Sequence, residues 1–287
     1  MASAVTQHHR DHDLDDHDRG LVFDLATLDR RQVLKLLGFG GVSAGLFVIA
    51  GCTPGGSTAS ATSAGSSAAP SSAAGASCAV IPQETAGPFP ADGSNGPDVL
   101  NQSGVVRKDI RSSFGSSSTV AKGVPLTINL TIQDAASCTP LESAAVYLWH
   151  CDRDGNYSLY SAAAANENYL RGVQEADANG LVTFTSIVPA CYPGRWPHIH
   201  FEVYPSLAMA TDEANKIATS QIALPKDACE TVYATDGYSQ SVSNMARVSL
   251  ASDNVFGNDG GVHQLGTVSG SAAAGYTVEL AVPVTTA

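Results

Sequence analysis

Lysine and arginine are scarce in this chain, 15 against 27 aspartates and glutamates, and the formal net charge is −12. No cluster of basic residues builds the positive face that phosphate neutralisation requires, so nucleic acid is excluded as a partner. Motifs of several enzyme classes are missing as well. There is no glycine-rich loop running into Lys-Ser/Thr to cradle phosphates, and no Gly-x-Ser-x-Gly elbow to raise a nucleophilic serine. No Cys-x-x-Cys pair occurs, which argues against a structural zinc site. Long apolar runs are rare: the stretch from Leu36 to Ala50 stands alone, and it is too short and too glycine-rich for a membrane span.

That stretch follows Arg30-Arg31 and reads as a twin-arginine export signal. It closes on Ile49-Ala50-Gly51-Cys52, which resembles the lipobox of bacterial lipoproteins, so Cys52 is expected to become a lipid-bearing first residue after cleavage. An ordinary cleaved signal, giving a secreted protein, is the alternative. The head containing His8, His9, His12 and His17 lies upstream of the signal and is expected to be lost on export. Residues 52–77 are rich in Gly, Ser, Ala and Thr and too poor in apolar side chains to offset the entropy of ordering, as in a flexible tether. The expected division is therefore a signal region at 1–51, a tether at 52–77 and one globular domain at 78–287.

Within that domain strand signals dominate. Leu126, Ile128, Leu130 and Ile132 alternate with polar residues, as do Val182 with Phe184 and Tyr276 with Val278 and Leu280, while Val146-Tyr147-Leu148-Trp149 is a compact apolar run. Turn chemistry separates them at Asp154-Gly155-Asn156 and Asp177-Ala178-Asn179-Gly180. Only the segment from Ser206 to Ala218 hints at a helix. An all-β fold, a β-sandwich with long loops and little helix, is the natural architecture. Cys78, Cys138, Cys151, Cys191 and Cys229 follow Cys52, and in an exported domain they read as disulfide partners with one left over. A local Cys138–Cys151 bridge is the first expectation, and Cys229 with Cys191 or Cys78 the second.

The densest chemistry lies in Tyr192-Pro193-Gly194-Arg195-Trp196-Pro197-His198-Ile199-His200, which holds a phenol, a guanidinium and two imidazoles. If His198-Ile199-His200-Phe201-Glu202-Val203 is a strand, His198 and His200 share one face and Ile199, Phe201 and Val203 back them from the other. Phenolate is a hard anionic donor suited to ferric iron, so tyrosine beside His-x-His shifts the expected metal toward Fe(III). A second tyrosine, Tyr157, follows the strand and turn of Trp149-His150-Cys151-Asp152-Arg153-Asp154-Gly155-Asn156.

This order of elements, continued by Leu170-Arg171-Gly172 and Ile187-Val188-Pro189-Ala190-Cys191-Tyr192, resembles the intradiol ring-cleavage dioxygenases, the group of catechol 1,2-dioxygenase and protocatechuate 3,4-dioxygenase. The resemblance runs from about Gln83 to Gln221. It implies a non-haem Fe(III) held by Tyr157, Tyr192, His198 and His200, with Tyr192 and His200 as the axial pair. It implies that Tyr192 takes a proton from the bound catechol, that Arg195 stabilises charge building on the ring, and that Gln221 is the active-site glutamine. Glu84-Thr85-Ala86-Gly87-Pro88-Phe89 resembles the loop that walls the substrate pocket, which assigns Gly87, Pro88 and Phe89 to substrate binding. The implied partners are a catechol and O2, and the implied product is a cis,cis-muconate-type diacid.

The gap between Tyr192 and His198 is shorter than in the cytosolic enzymes, which implies a trimmed, more open pocket. The helical segment through which catechol 1,2-dioxygenases dimerise has no counterpart among these residues, so a monomer is expected. Read singly, each residue also has an ordinary role: Tyr157 over the core, Tyr192 at a corner, Arg195 on the surface beside Trp196. Two readings from other classes compete, a non-catalytic β-sandwich binding module and a copper or zinc surface protein using His198 and His200 alone. Trp149 is assigned to the core, His150 is unassigned, and His263 is expected in solvent.

Overall fold

The computed structural model describes residues 78–286. The export signal, Cys52 and the tether lie outside the described residues. Two four-stranded sheets form the domain. The first contains β1 (Pro125–Asp134), β4 (Leu181–Ile187), β7 (Thr267–Ser271) and β8 (Gly275–Val284), in the order β4-β1-β8-β7. The second contains β2 (Ala145–Trp149), β3 (Arg171–Glu175), β5 (His198–Tyr204) and β6 (Ala218–Ala223), in the order β3-β2-β5-β6. Pairing is antiparallel except between β1 and β8.

The alternation in β1 buries Leu126, Ile128, Leu130 and Ile132 completely or nearly so. They meet Val146, Leu148, Ile199, Phe201, Val203 and Ile222 of the second sheet in one core, as two facing pleated surfaces require. The second sheet is covered on its other face too. All seven residues of β5 are buried, because loops carrying Phe89, Val99, Leu100, Val105 and Tyr157 close over Tyr147, Trp149 and Tyr204. The histidines therefore lie on the outer face of one sheet, beneath a second layer of loops.

Two expectations are corrected. Residues 206–217 form turns with a single short 3-10 turn at Glu213–Asn215, capped by Asp212, and Ala218 opens β6. The α-helices come later, α1 at Lys226–Tyr233 and α2 at Ser239–Met245. The disulfide joins Cys78 to Cys138, not Cys138 to Cys151. Cys138 lies in the tight turn after β1, where Cys78 also docks by donating its amide to the Ala135 carbonyl. Cys151 is turned inward with its Sγ on the Ala190 carbonyl, and Cys151, Cys191 and Cys229 are buried free thiols among the described residues. Burial in apolar surroundings raises the pKa of all three, those of Cys191 and Cys229 to about 12, so these thiols are inert. Among the described residues no helix is long and apolar enough to cross a membrane.

Candidate active site

Register sets one row of the site. Arg171, Trp149, His200 and Gln221 are successive cross-strand partners on β3, β2, β5 and β6, so their side chains stand side by side on the outer face. Trp149 stacks on His200 at 5.0 Å and 7°, which holds a ring whose Nδ1 has no hydrogen-bond partner. Trp149 is thus both core and wall of the site. His198 lies two residues back on the same face, and its Nδ1 is 2.5 Å from the Trp196 carbonyl. A carbonyl only accepts, so Nδ1 carries the proton and Nε2 presents a lone pair.

Loops deliver the two phenols. The Asp152 carboxylate accepts from the amides of Asp154 and Asn156, closing the turn that ends at Tyr157. Buried Arg171 then holds the next residue by donating to both Oγ and the carbonyl of Ser158. Tyr192 is fixed from the other side: Cys191 donates its amide to Ser241 Oγ and accepts from Asn244, both on α2.

These elements converge on His198 Nε2. Tyr192 Oη is 3.1 Å away, His200 Nε2 3.1 Å, Tyr157 Oη 3.5 Å and Arg195 Nη1 3.4 Å. One imidazole lone pair accepts one hydrogen bond, so a cluster this tight is not explained as a hydrogen-bond network. Its donor separations are those of neighbouring ligands around one cation, about 3 Å for bonds near 2.1 Å. The residues present fit a metal ion, and the two phenols fit a hard trivalent one. The electrostatics agree for the imidazoles. Burial first, then the Arg195 charge for His198 and the neighbouring His198 for His200, holds both well below the usual histidine range, leaving them neutral with lone pairs to donate. Burial and Tyr192 push the Tyr157 phenol well above its ordinary value, an effect that a bound cation reverses.

Arg195 is buried, not a surface cation. Its Nε pairs with Asp253 at 3.0 Å, its Nη2 donates to Gln221 Oε1 at 2.7 Å, and Gln221 donates its own amide to the Thr85 carbonyl. The loop at Gly87 lies directly on His200, Phe89 packs on the Tyr157 ring at 4.8 Å, and the Pro88 carbonyl accepts from Asn95. Every site residue expected from the sequence is thus in or beside one cluster. His150 faces away and bonds Ser186 and the Cys151 carbonyl, and His263 is exposed. Asp253 is an addition that the sequence did not signal, since it lies in no chemical motif, and Arg171 stood within the Leu170-Arg171-Gly172 run with no role assigned.

A family model described as Dioxygenase matches residues 95–228, a span that contains Tyr157, Tyr192, Arg195, His198, His200 and Gln221. That span is a little under half of the chain, and it marks a segment similar to the dioxygenases of that family. Chlorocatechol 1,2-dioxygenase of Rhodococcus opacus is 39% identical over 56 residues, 20% of this chain, and the match spans only 22% of that protein's length. An intradiol ring-cleavage dioxygenase from Tetranychus urticae shares the fold, with TM-score 0.58, 23% identity, and 72% of this chain and 95% of that chain covered. A second solved dioxygenase, Tetur07g02040, gives TM-score 0.57 and 22% identity over the same shares of the two chains. Gly87–Phe89 and Asp253 lie outside the matched span, so their parts in the site rest on geometry alone.

Proposed function

We propose that this chain is an exported, non-haem Fe(III)-dependent intradiol dioxygenase that opens catechol-type rings with O2 to cis,cis-muconate-type diacids. The observation that carries this reading is the convergence of two phenol oxygens and two imidazole nitrogens beside a buried guanidinium. Held by Tyr157, Tyr192, His198 and His200, Fe(III) supplies the Lewis acidity that drives catechol deprotonation and the electronic coupling that opens the ring to oxygen. Neutral His198 and His200 add no charge, so the two tyrosines supply the anionic oxygens. Tyr192, at 8% exposure the most accessible of the four, receives a substrate proton at its phenolate oxygen. Arg195 presents fixed positive charge where anionic character develops, and Gln221 holds it there. Trp149 and Phe89 pack against His200 and Tyr157 and keep water from the ligands' flanks.

Export rests on Arg30-Arg31 and the apolar run closing at Gly51-Cys52, with the protein anchored through lipid on Cys52 or released, and acting as a monomer on catechols outside the cytoplasm. The test is a visible spectrum of the iron-loaded protein before and after adding catechol in air. The expected result is a broad tyrosinate-to-iron band that shifts with catechol, followed by growth of muconate-like ultraviolet absorbance. A colourless protein with full iron content would overturn the reading.

A further inference from the structure

Asp253 belongs to a stretch far downstream of the ligands and outside the matched span, where short 3-10 turns at Leu250–Ser252 and Phe256–Asn258 flank it. Its carboxylate works as a clip with one oxygen for each of two chain segments. Oδ1 accepts from the amides of Val255 at 2.9 Å and Phe256 at 3.0 Å, in its own segment. Oδ2 accepts from Arg195 Nε at 3.0 Å and from the Trp196 amide at 2.7 Å, in the ligand-bearing loop. Arg195 and Asp253 are both essentially excluded from water.

We infer that Asp253 is the positioning residue of the reaction: it sets the plane and direction of the Arg195 guanidinium, acting through Arg195 and touching neither metal nor substrate. Gripped at Nε by Asp253 and at Nη2 by Gln221, the guanidinium has its orientation fixed, and that orientation brings Nη1 to 3.4 Å from His198 Nε2, at the centre of the donor cluster. A planar fork held at two edges cannot rotate without breaking a charge-assisted bond. A buried cation beside a metal cation would be repelled by it and has lost its hydration, and the Asp253 carboxylate offsets both effects with its oxygens already engaged by Arg195 and by the amides of Trp196, Val255 and Phe256. The C-terminal segment is thereby part of the catalytic unit.

The inference rests on the proposed activity, and its test separates the two. In metal-free protein labelled with 15N-arginine, Arg195 Nε–H should give a slowly exchanging side-chain resonance, assigned by its loss in R195Q. In D253N that resonance should shift and exchange rapidly, while the remaining arginine signals stay in place. In the iron-loaded enzyme, D253N and R195Q should keep the tyrosinate band, because neither residue is a ligand. D253N should lower kcat roughly 10- to 100-fold with a KM change under about 3-fold, the cost of a misplaced charge. R195Q/D253N should be no slower than R195Q, although its Tm falls further. D253E, which keeps the charge at a slightly different reach, should recover part of the loss and serves where D253N folds poorly. Wild-type-like exchange of the Nε–H in D253N, or kcat losses that multiply in the double variant, would overturn the inference. Failure of the proposed activity itself would show as an inactive, colourless wild type with the resonance still protected.

Discussion

Gly87 lies against His200 with little room for a side chain. Its φ is +71°, a conformation that L-residues rarely adopt, and an added Cβ would come to 3.3 Å from His200 Cε1. Gly87→Ala should cost about 1–2 kcal/mol from backbone strain. It should also weaken iron retention by tilting a ligand ring, both read by thermal unfolding with and without bound iron. Three residues upstream, Glu84 faces a different constraint. Burial lifts its pKa to about 7, with Asp259 and Asp253 adding to the rise and a Gln264 hydrogen bond and Arg195 opposing it. A carboxyl whose pKa is raised on folding contributes stability that is complete below about 4.5 and is lost as pH rises through about 7. Glu84→Gln does not titrate, so Tm measured from pH 5 to pH 8 should fall less in the variant, by an amount on the order of a few degrees.

At the scale of elements, α2 acts as the clamp for Tyr192. Ser241 and Asn244 hold both polar groups of the Cys191 peptide, so the next residue points its phenol into the cluster. Ser241→Ala leaves the Cys191 amide buried without its acceptor and should cost about 1–3 kcal/mol. Because the displaced residue borders Tyr192, kcat should fall about 10-fold and the tyrosinate band should move, which steady-state kinetics and absorption together would show. The sandwich and the clustered residues were legible because their signals are local: the alternation in β1, and two histidines one residue apart within reach of Tyr192 and Arg195. The clamp and the clip were not. Ser241, Asn244 and Asp253 take their meaning from partners some fifty residues away. The helices were missed for a related reason, because α1 follows Pro225 and is only eight residues long, too short to show a clear period. Cysteine pairing was misread because proximity in sequence favoured Cys151, which the fold turns toward the site.

For the molecule as a whole, the Cys78–Cys138 bridge closes a loop of 60 residues that includes the strap over the site. Replacing both cysteines by serine should lower stability by about 4 kcal/mol from loop-closure entropy, read as a fall in the variant's Tm relative to that of the oxidised protein. The strap starts at this bridge, ties to β8 where Ile81 donates to the Pro283 carbonyl, and ties to β6 where Glu84 donates to the Thr219 carbonyl. It then passes Thr85, which accepts from Gln221, and reaches Gly87 on His200. A chain tethered through residues before Cys78 meets mechanical tension at that point first. The covalent link diverts the pull into the turn after β1, and the strap downstream stays slack. A chain pulled from that side would keep Gly87 seated on His200, where the same strap without the bridge would peel away one hydrogen bond at a time.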